Sequence, residues 1–335
     1  MKIRDIIYIG IDALSVIYPQ DEAREMVHAY MEDVFGFKRH KHLLEPDFEL
    51  SQEQTARAES DFARMAEGEP LQYVVGKAYF YGRQFKVCPD VLIPRQETEI
   101  LCRTVIDACA AGGAMGLLPA AGSALLSPDC MKFDDRADET ICGRAPRILD
   151  LCTGSGCIAW TLALEIPGAD VAAVDISDGA LSVARSQDFS HEMVRTGAVA
   201  PEFMKADLLP GPHAEGAGKM VDCLTSNGSQ RWYDVIVSNP PYVMDREKAL
   251  MRTNVLDHEP HLALFVPDSD PLLFYRAIAD WAAVLIAPRG LCVVEINEAL
   301  GPQTADLFRD RGFCHVSIIR DLHDKDRFVK FHAPQ

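Results

Sequence analysis

The chain reads as an α/β protein: a doubly wound, largely parallel sheet, preceded by a small helical domain and closed by an antiparallel C-terminal hairpin. Three observations predict this. Short apolar strands at 147–151, 170–174, 202–205, 234–238 and 291–296 are interleaved with helical patterns at 157–165, 178–188, 271–286 and 299–311. Residues 1 to about 70 carry helical spacing instead. The last two β-favouring stretches, 313–320 and 326–332, have no helix between them, so they pair as a hairpin.

Taken in order, the first helices are set by local signals. Within 21–37 the apolar residues Ala23, Met26, Val27, Tyr30, Val34 and Phe35 recur at helical spacing. A second helix opens on Ser51-Gln52-Glu53-Gln54, a capping-box pattern, and stops at Gly68 with Pro70 beyond it. Residues 71–94 change character. Tyr73, Val74, Val75, Tyr79, Phe80, Tyr81, Phe85 and Val87 favour strand, with Gly76 and Gly82 as punctuation, which predicts a hairpin linker. A helix then opens at Pro94-Arg95-Gln96-Glu97-Thr98-Glu99 and runs to about Ala110. The expected organisation is a helical domain over 1–75, a β-hairpin linker over 76–94 and an α/β domain over 95–335. That last domain carries pattern-poor loop inserts at about 112–145 and 210–230.

Composition narrows the function classes. The 335 residues include 33 Lys and Arg against 50 Asp and Glu, a formal net charge of −17, which repels a phosphate backbone and disfavours direct nucleic-acid binding. The ten cysteines are scattered without a C-x-x-C pair, as reduced thiols used as small apolar residues would be. Asp5 and Asp12 interrupt the apolar N-terminus, which does not read as a signal peptide, and the uncharged run 108–128 is too rich in Ala, Gly and Ser for a membrane helix. The expectation is a cytoplasmic protein with no membrane contact.

Two loops carry the chemistry. In the first, the strand Ile148-Leu149-Asp150-Leu151 runs into Cys152-Thr153-Gly154-Ser155-Gly156 and then a helix. Glycines let a ligand approach the backbone, and a helix N-terminus presents unpaired N–H groups. The next strand ends in Asp175, followed by Ile176, which puts a carboxylate where ribose hydroxyls are bound in such sheets. Taken alone, this site fits a dinucleotide as well as S-adenosylmethionine; there is no G-K-[ST] to support a P-loop. In the second, Asn239-Pro240-Pro241-Tyr242 sits at the C-terminal end of strand 234–238. The prolines fix φ and lack N–H groups, leaving the Asn239 side-chain carbonyl and the Pro240 backbone carbonyl to accept hydrogen bonds from a planar –NH₂ group. Tyr242 offers a ring against a flat substrate.

Together these loops resemble the class I S-adenosylmethionine methyltransferases that act on planar amino or amide nitrogens. Four flanking stretches narrow the resemblance to the peptide chain release factor glutamine methyltransferases: Glu69-Pro70-Leu71-Gln72-Tyr73-Val74-Val75-Gly76, Leu92-Ile93-Pro94-Arg95, Glu97-Thr98-Glu99 and Glu259-Pro260-x-x-Ala263-Leu264. The resemblance covers nearly the whole chain apart from the two inserts. It implies a Rossmann-like methyltransferase sheet, a substrate-docking role for 1–75, and methyl transfer from S-adenosylmethionine to the N5 amide nitrogen of the glutamine in a Gly-Gly-Gln loop of class 1 release factors. It assigns catalysis to Asn239, Pro240 and Tyr242, with Pro241 and Arg95 joining them in binding the substrate. Cofactor contacts fall to Asp150, Cys152, Thr153, Gly154, Ser155, Gly156, Asp175, Ile176, Asp207, Leu208 and Asn239.

The chain departs from the family's usual pattern at Cys152 (commonly Gly), at Gln96 (commonly Pro) and at Leu208, where an aromatic residue often follows the aspartate. An amide nitrogen is a poor nucleophile, and no strong base stands in these motifs, so catalysis is expected from positioning. No metal is expected: Pro260 spoils a helical spacing for His258 and His261, and no third ligand is evident. Glu97 and Glu99 read either as catalytic acids or, at least as readily, as helix-start carboxylates that complement the dipole. The competing readings are a ribosomal-protein glutamine methyltransferase, a nucleic-acid amino methyltransferase disfavoured by the charge, and a non-catalytic S-adenosylmethionine-binding partner of translation.

Overall fold

A computed structural model describes residues 1–111, 145–213 and 232–334. Most of both expected inserts, and with them most of the uncharged run 108–128, therefore lie outside the described residues. Contacts divide the chain into two units: Met1–Pro94 with Val243–Ser269, and Arg95–Tyr242 with Asp270–Gln335.

The first unit is built on the helices Ile3–Leu14, Gln20–Phe35 and Gln52–Ala66. Their apolar faces meet in a core of Ile3, Ile6, Leu14, Val27, Tyr30 and Phe62. Gly10 is glycine because a Cβ there would sit 2.7 Å from the Phe62 ring. The capping box forms as the sequence predicts: Gln54 N–H donates to Ser51 Oγ at 3.1 Å, and Ser51 N–H donates to the Gln54 side chain at 2.9 Å. Gly36, at φ 69°, ends the second of these helices.

Two corrections fall in this unit. Leu71–Val75 is a short helix rather than the start of a hairpin. Pro70 begins it, Gly76 at φ 77° ends it, and the buried Tyr73 hydroxyl donates to the Val91 carbonyl at 2.6 Å, so tertiary packing overrides a β-favouring run. The hairpin itself is β1 (Lys77–Phe80) against β2 (Arg83–Lys86), antiparallel. The second correction is the placement of Val243–Ser269, which the sequence assigns to the α/β domain. Two contacts tie it to the first unit instead: Glu259, buried, accepts the Ile93 N–H at 3.2 Å, and Arg252 pairs with Glu22 at 2.7 Å.

The second unit holds a seven-stranded sheet, with β3 (Arg147–Leu151), β4 (Asp170–Asp175), β5 (Glu202–Lys205) and β6 (Tyr233–Ser238). Two-residue strands in the first unit, β7 (Val243–Met244) and β8 (Phe265–Val266), come next along the chain. β9 (Ile286–Glu295), β10 (Cys314–Arg320) and β11 (Asp326–His332) complete the sheet, whose order is β10-β11-β9-β6-β3-β4-β5. The five strands β9-β6-β3-β4-β5 are parallel, and β10 and β11 are antiparallel, as the missing helix between them predicts. β9 begins five residues before the expected start. It runs through Pro288-Arg289-Gly290, where Arg289 takes φ 62° and a Cβ on Gly290 would meet the Asp234 carbonyl at 3.1 Å. A turn-like sequence is held there in a strand by its neighbour β6.

From β3 the chain winds outward to β4 and β5, then returns to place β6 on the other side of β3. The switch point of the sheet is therefore between β3 and β6, and ligand crevices form outside the carboxyl ends of strands at such a point. Leu151 and Ser238 are register partners there, with Ser238 Oγ donating to Leu151 O at 2.7 Å.

Candidate active site

The loops leaving β3 and β6 start side by side, so the fold itself brings the two chemical motifs together. The β3 loop is a tight turn: Cys152, Gly154 and Gly156 take φ values of 63°, 54° and 79°. The two glycines serve different ends. A Cβ on Gly156 would press Ala184 Cβ at 3.0 Å and Phe203 at 3.2 Å, so that glycine lets the turn pack on the structure beneath it. A Cβ on Gly154 would meet nothing within 4 Å, so its backbone faces open space, as a ligand-cradling turn requires. Cys152 holds a left-handed conformation without being glycine.

Asp175 closes the turn from β4. One carboxylate oxygen accepts Gly154 N–H at 2.8 Å and the other accepts Ser177 N–H at 2.9 Å. Burial raises its pKa, and the backbone N–H groups pull the other way. Ile176 follows it and leaves its apolar side chain 42% exposed. Asp150 is fully buried, so it acts on the turn through Thr153, whose hydroxyl donates to Asp150 Oδ2 at 2.6 Å. Burial pushes the Asp150 carboxyl up to about 7; the Thr153 bond opposes this and the charge of Asp175 adds to it. Its other oxygen, Oδ1, is also buried, and the Ala159 backbone N–H further opposes the rise. Ser155 is also buried, its carbonyl accepting from Gln187 at 3.2 Å.

Asp207, two residues beyond β5, is exposed and accepts Leu209 N–H at 3.0 Å. Leu208 differs from the sequence expectation. Its side chain is buried in the core and its carbonyl receives the Trp281 indole N–H at 3.0 Å, so only Asp207 of that pair has a side chain open to a ligand.

In the β6 loop, Pro240 and Pro241 are buried and Asn239 and Tyr242 half-buried. Asn239 Nδ2 donates to Thr98 Oγ1 at 3.2 Å; Thr98 Oγ1 donates to Glu295 Oε2 at 2.6 Å; and Tyr242 OH donates to Glu295 Oε1 at 2.9 Å. The sequence expects Tyr242 to present its ring to substrate. The structure turns its hydroxyl inward and packs the ring partly on the core, making it chiefly a holder of the loop. Asn297 Nδ2 completes the clamp by donating to Tyr242 O at 3.2 Å. Burial raises the pKa of Glu295, opposed by the Thr98 and Tyr242 bonds and by Arg327, and burial with the neighbouring Glu295 raises that of Tyr242.

Thr98, Glu295 and Asn297 are therefore site residues that sequence reasoning missed. A faint signal existed at Glu295, a carboxylate ending an otherwise apolar strand. Arg95, at the start of the second unit, is half-buried, and its carbonyl accepts Thr98 N–H at 3.2 Å. Glu97 is exposed and Glu99 opens the helix Glu99–Ala111. In the first unit, Glu259 is spent on the Ile93 N–H, and His261 Nε2 lies 2.7 Å from the Leu256 carbonyl. Among the described residues no three His, Cys, Asp or Glu side chains cluster as metal ligands, and no helix is long and apolar enough to cross a membrane.

A doubly wound sheet with a glycine turn, an acid after the neighbouring strand and Asn-Pro-Pro-Tyr at the switch point defines a Rossmann-like methyltransferase domain. The chain matches the model of the PrmC N-terminal domain over residues 10–76. It is 34% identical over 317 residues to a release factor glutamine methyltransferase of Bacteroides thetaiotaomicron, covering 95% of each chain. It is 32% identical over 320 residues to one of Flavobacterium psychrophilum, covering 96% of this chain and 95% of that one. A solved release factor-specific protein-(glutamine-N5) methyltransferase from Alicyclobacillus acidocaldarius aligns at 24% identity with a TM-score of 0.38, over 75% of this chain and 100% of its own. The chain belongs to the release factor glutamine methyltransferase family.

Proposed function

We propose that this protein transfers a methyl group from S-adenosylmethionine to the side-chain amide nitrogen of the glutamine in the Gly-Gly-Gln loop of class 1 release factors, in the cytoplasm. The observation that carries this reading is the adjacency of the two loops: a glycine turn open at Gly154 and Asn239-Pro240 leave neighbouring strands at the switch point of the sheet. The residues fit the cofactor. Gly154 leaves backbone-close space, Asp175 sets a carboxylate beside it for ribose hydroxyls, and Ile176 adds exposed apolar surface for a purine. When bound, S-adenosylmethionine supplies an electrophilic methyl on a sulfonium, which leaves as a neutral thioether when the nitrogen–carbon bond forms.

The chain's own part is orientation. Asn239 Oδ1 and the Pro240 carbonyl accept the two N–H bonds of the glutamine amide and hold its nitrogen in line for attack. Both are acceptors, so their attraction grows as positive charge develops on that nitrogen. One amide proton leaves after transfer, restoring a neutral N-methyl amide. We assign the first unit to docking of the protein substrate.

The test is mass spectrometry of the Gly-Gly-Gln peptide after incubation of release factor with the wild-type protein and with Asn239→Ala. A ribosomal-protein fraction serves as the competing substrate. One added methyl on the release factor glutamine is expected, with the rate falling roughly a hundred-fold or more in the variant and cofactor affinity largely kept. A wild-type rate for Asn239→Ala would overturn the site, and methylation confined to ribosomal protein would overturn the substrate.

A further inference from the structure

We infer that Thr98 and Glu295 are positioning residues that set which end of the Asn239 amide faces the substrate. This rests on the reading of Asn239 as the acceptor for the glutamine amide, and it explains how that acceptor is guaranteed.

A primary amide has a donor end and an acceptor end of nearly equal size, so its orientation is decided by its partners. Here the partners leave no choice. Glu295 is buried and receives one hydroxyl on each oxygen, Thr98 on Oε2 and Tyr242 on Oε1, an arrangement that suits an ionised carboxylate, which only accepts. Burial pulls the Glu295 pKa upward, while the two hydroxyl bonds and the charge of Arg327 favour the ionised form. The single hydroxyl proton of Thr98 is thereby committed to Glu295 at 2.6 Å, and toward Asn239 the Thr98 oxygen has only a lone pair left. Only the NH₂ end of Asn239 satisfies it, at 3.2 Å. Oδ1 is turned to the opposite side and accepts no hydrogen bond among the described residues. With the amide reversed, two acceptors would meet at Thr98, and the substrate would find an NH₂ group facing its own.

The second hydroxyl on Glu295 serves the same loop. Tyr242 is three residues beyond Asn239, so one buried carboxylate steadies both ends of Asn-Pro-Pro-Tyr. Thr98 is itself held, fully packed, at the entrance to the helix Glu99–Ala111, its N–H bonded to the Arg95 carbonyl. The relay thus joins a helix entrance, the end of β9 and the β6 loop through side chains that do not themselves reach the reacting atoms.

The experiment compares the full-length wild-type protein with Thr98→Val, Thr98→Ser, Asn239→Ala and the Thr98→Val/Asn239→Ala double variant. Single-turnover methyl transfer to release factor is measured with labelled S-adenosylmethionine, and rates are normalised to the cofactor-binding protein counted by calorimetry. Thr98→Val keeps the shape and loses the relay. Its maximal rate is expected to fall roughly 10- to 100-fold, with KM for the release factor and cofactor affinity each within about twofold, while Thr98→Ser restores most of the rate. In the Asn239→Ala background the same Thr98→Val change is expected to do almost nothing, because no amide remains to orient.

An undiminished rate in Thr98→Val would overturn the proposal. So would a Thr98→Val loss as large without Asn239 as with it, or a loss carried by cofactor affinity, since either marks a merely structural threonine. If Asn239→Ala itself keeps the wild-type rate, the underlying site reading falls, and this result is distinct from those that overturn the relay alone.

Discussion

Replacing Asp150 by Asn should change how stability depends on pH, with a sign and size set by the structure. Asp150 is fully buried, and its carboxyl is raised from an ordinary 3.8 to about 7. Below 3.8 the folded and unfolded chains both keep the proton. Between 3.8 and about 7 the unfolded chain releases it and the folded chain retains it, so native stability falls as pH rises through this window. Above 7 the loss is complete and stays constant. A gap of about 3 between the two values corresponds to about 4 kcal/mol, taken as an upper bound. Asn carries no such linkage. It keeps an acceptor for the Thr153 hydroxyl but puts a buried NH₂ in place of the second carboxylate oxygen, a roughly pH-independent penalty of about 1–3 kcal/mol. Other titrating groups largely cancel when the variant is compared with the parent at each pH. All three tryptophans (Trp160, Trp232 and Trp281) belong to the second unit, so urea unfolding followed by tryptophan fluorescence reports on the unit that holds Asp150. From pH 4.5 to pH 8 Asp150→Asn should gain about 3–4 kcal/mol relative to the parent. Parallel stability curves would refute the reasoning and mean that Asp150 has an ordinary carboxylate pKa in the folded state.

Asp175→Ala removes the acceptor of the Gly154 and Ser177 N–H groups together with the proposed ribose contact. Calorimetric titration with S-adenosylmethionine should show affinity reduced by roughly tenfold or more, and unchanged affinity would remove Asp175 from the site. Gly156→Ala combines a left-handed φ of 79° with a Cβ only 3.0 Å from that of Ala184. The fluorescence-detected midpoint should drop by an amount worth about 2–4 kcal/mol, and a midpoint equal to that of the parent would show that the turn relaxes freely.

The fold was legible where side-chain burial imposes a period. β3 and β5 end where the pattern places them, because β3 is buried on both faces and Glu202–Lys205 lies between clear breaks. The pattern failed where no period exists. The helix Ser190–Thr196 buries none of its residues and so leaves no amphipathic trace. Val243–Ser269 is made of two-residue strands and single turns, and its allegiance to the first unit rests on contacts such as Glu259 to Ile93, 166 residues apart. Leu71–Val75 shows the reverse failure, a β-favouring composition that Pro70 and Gly76 force into one helical turn.

Within the site, legibility follows the same physics at the scale of single groups. Gly154, Gly156, Pro240 and Pro241 were readable because the backbone must do something there that only glycine or proline does readily. Asp175 was readable because strand and turn place it without help from distant residues. Thr98 and Glu295 have no such local mark. Their partners stand far away, Asn239 being 141 residues from Thr98, and Glu295 being 197 from Thr98 and 53 from Tyr242. Their effect also depends on direction: a carboxylate takes the threonine proton, the threonine must then accept, and the asparagine must turn its NH₂ inward. A motif records which residues are present; only the three-dimensional order of donors and acceptors decides which atom of Asn239 meets the substrate.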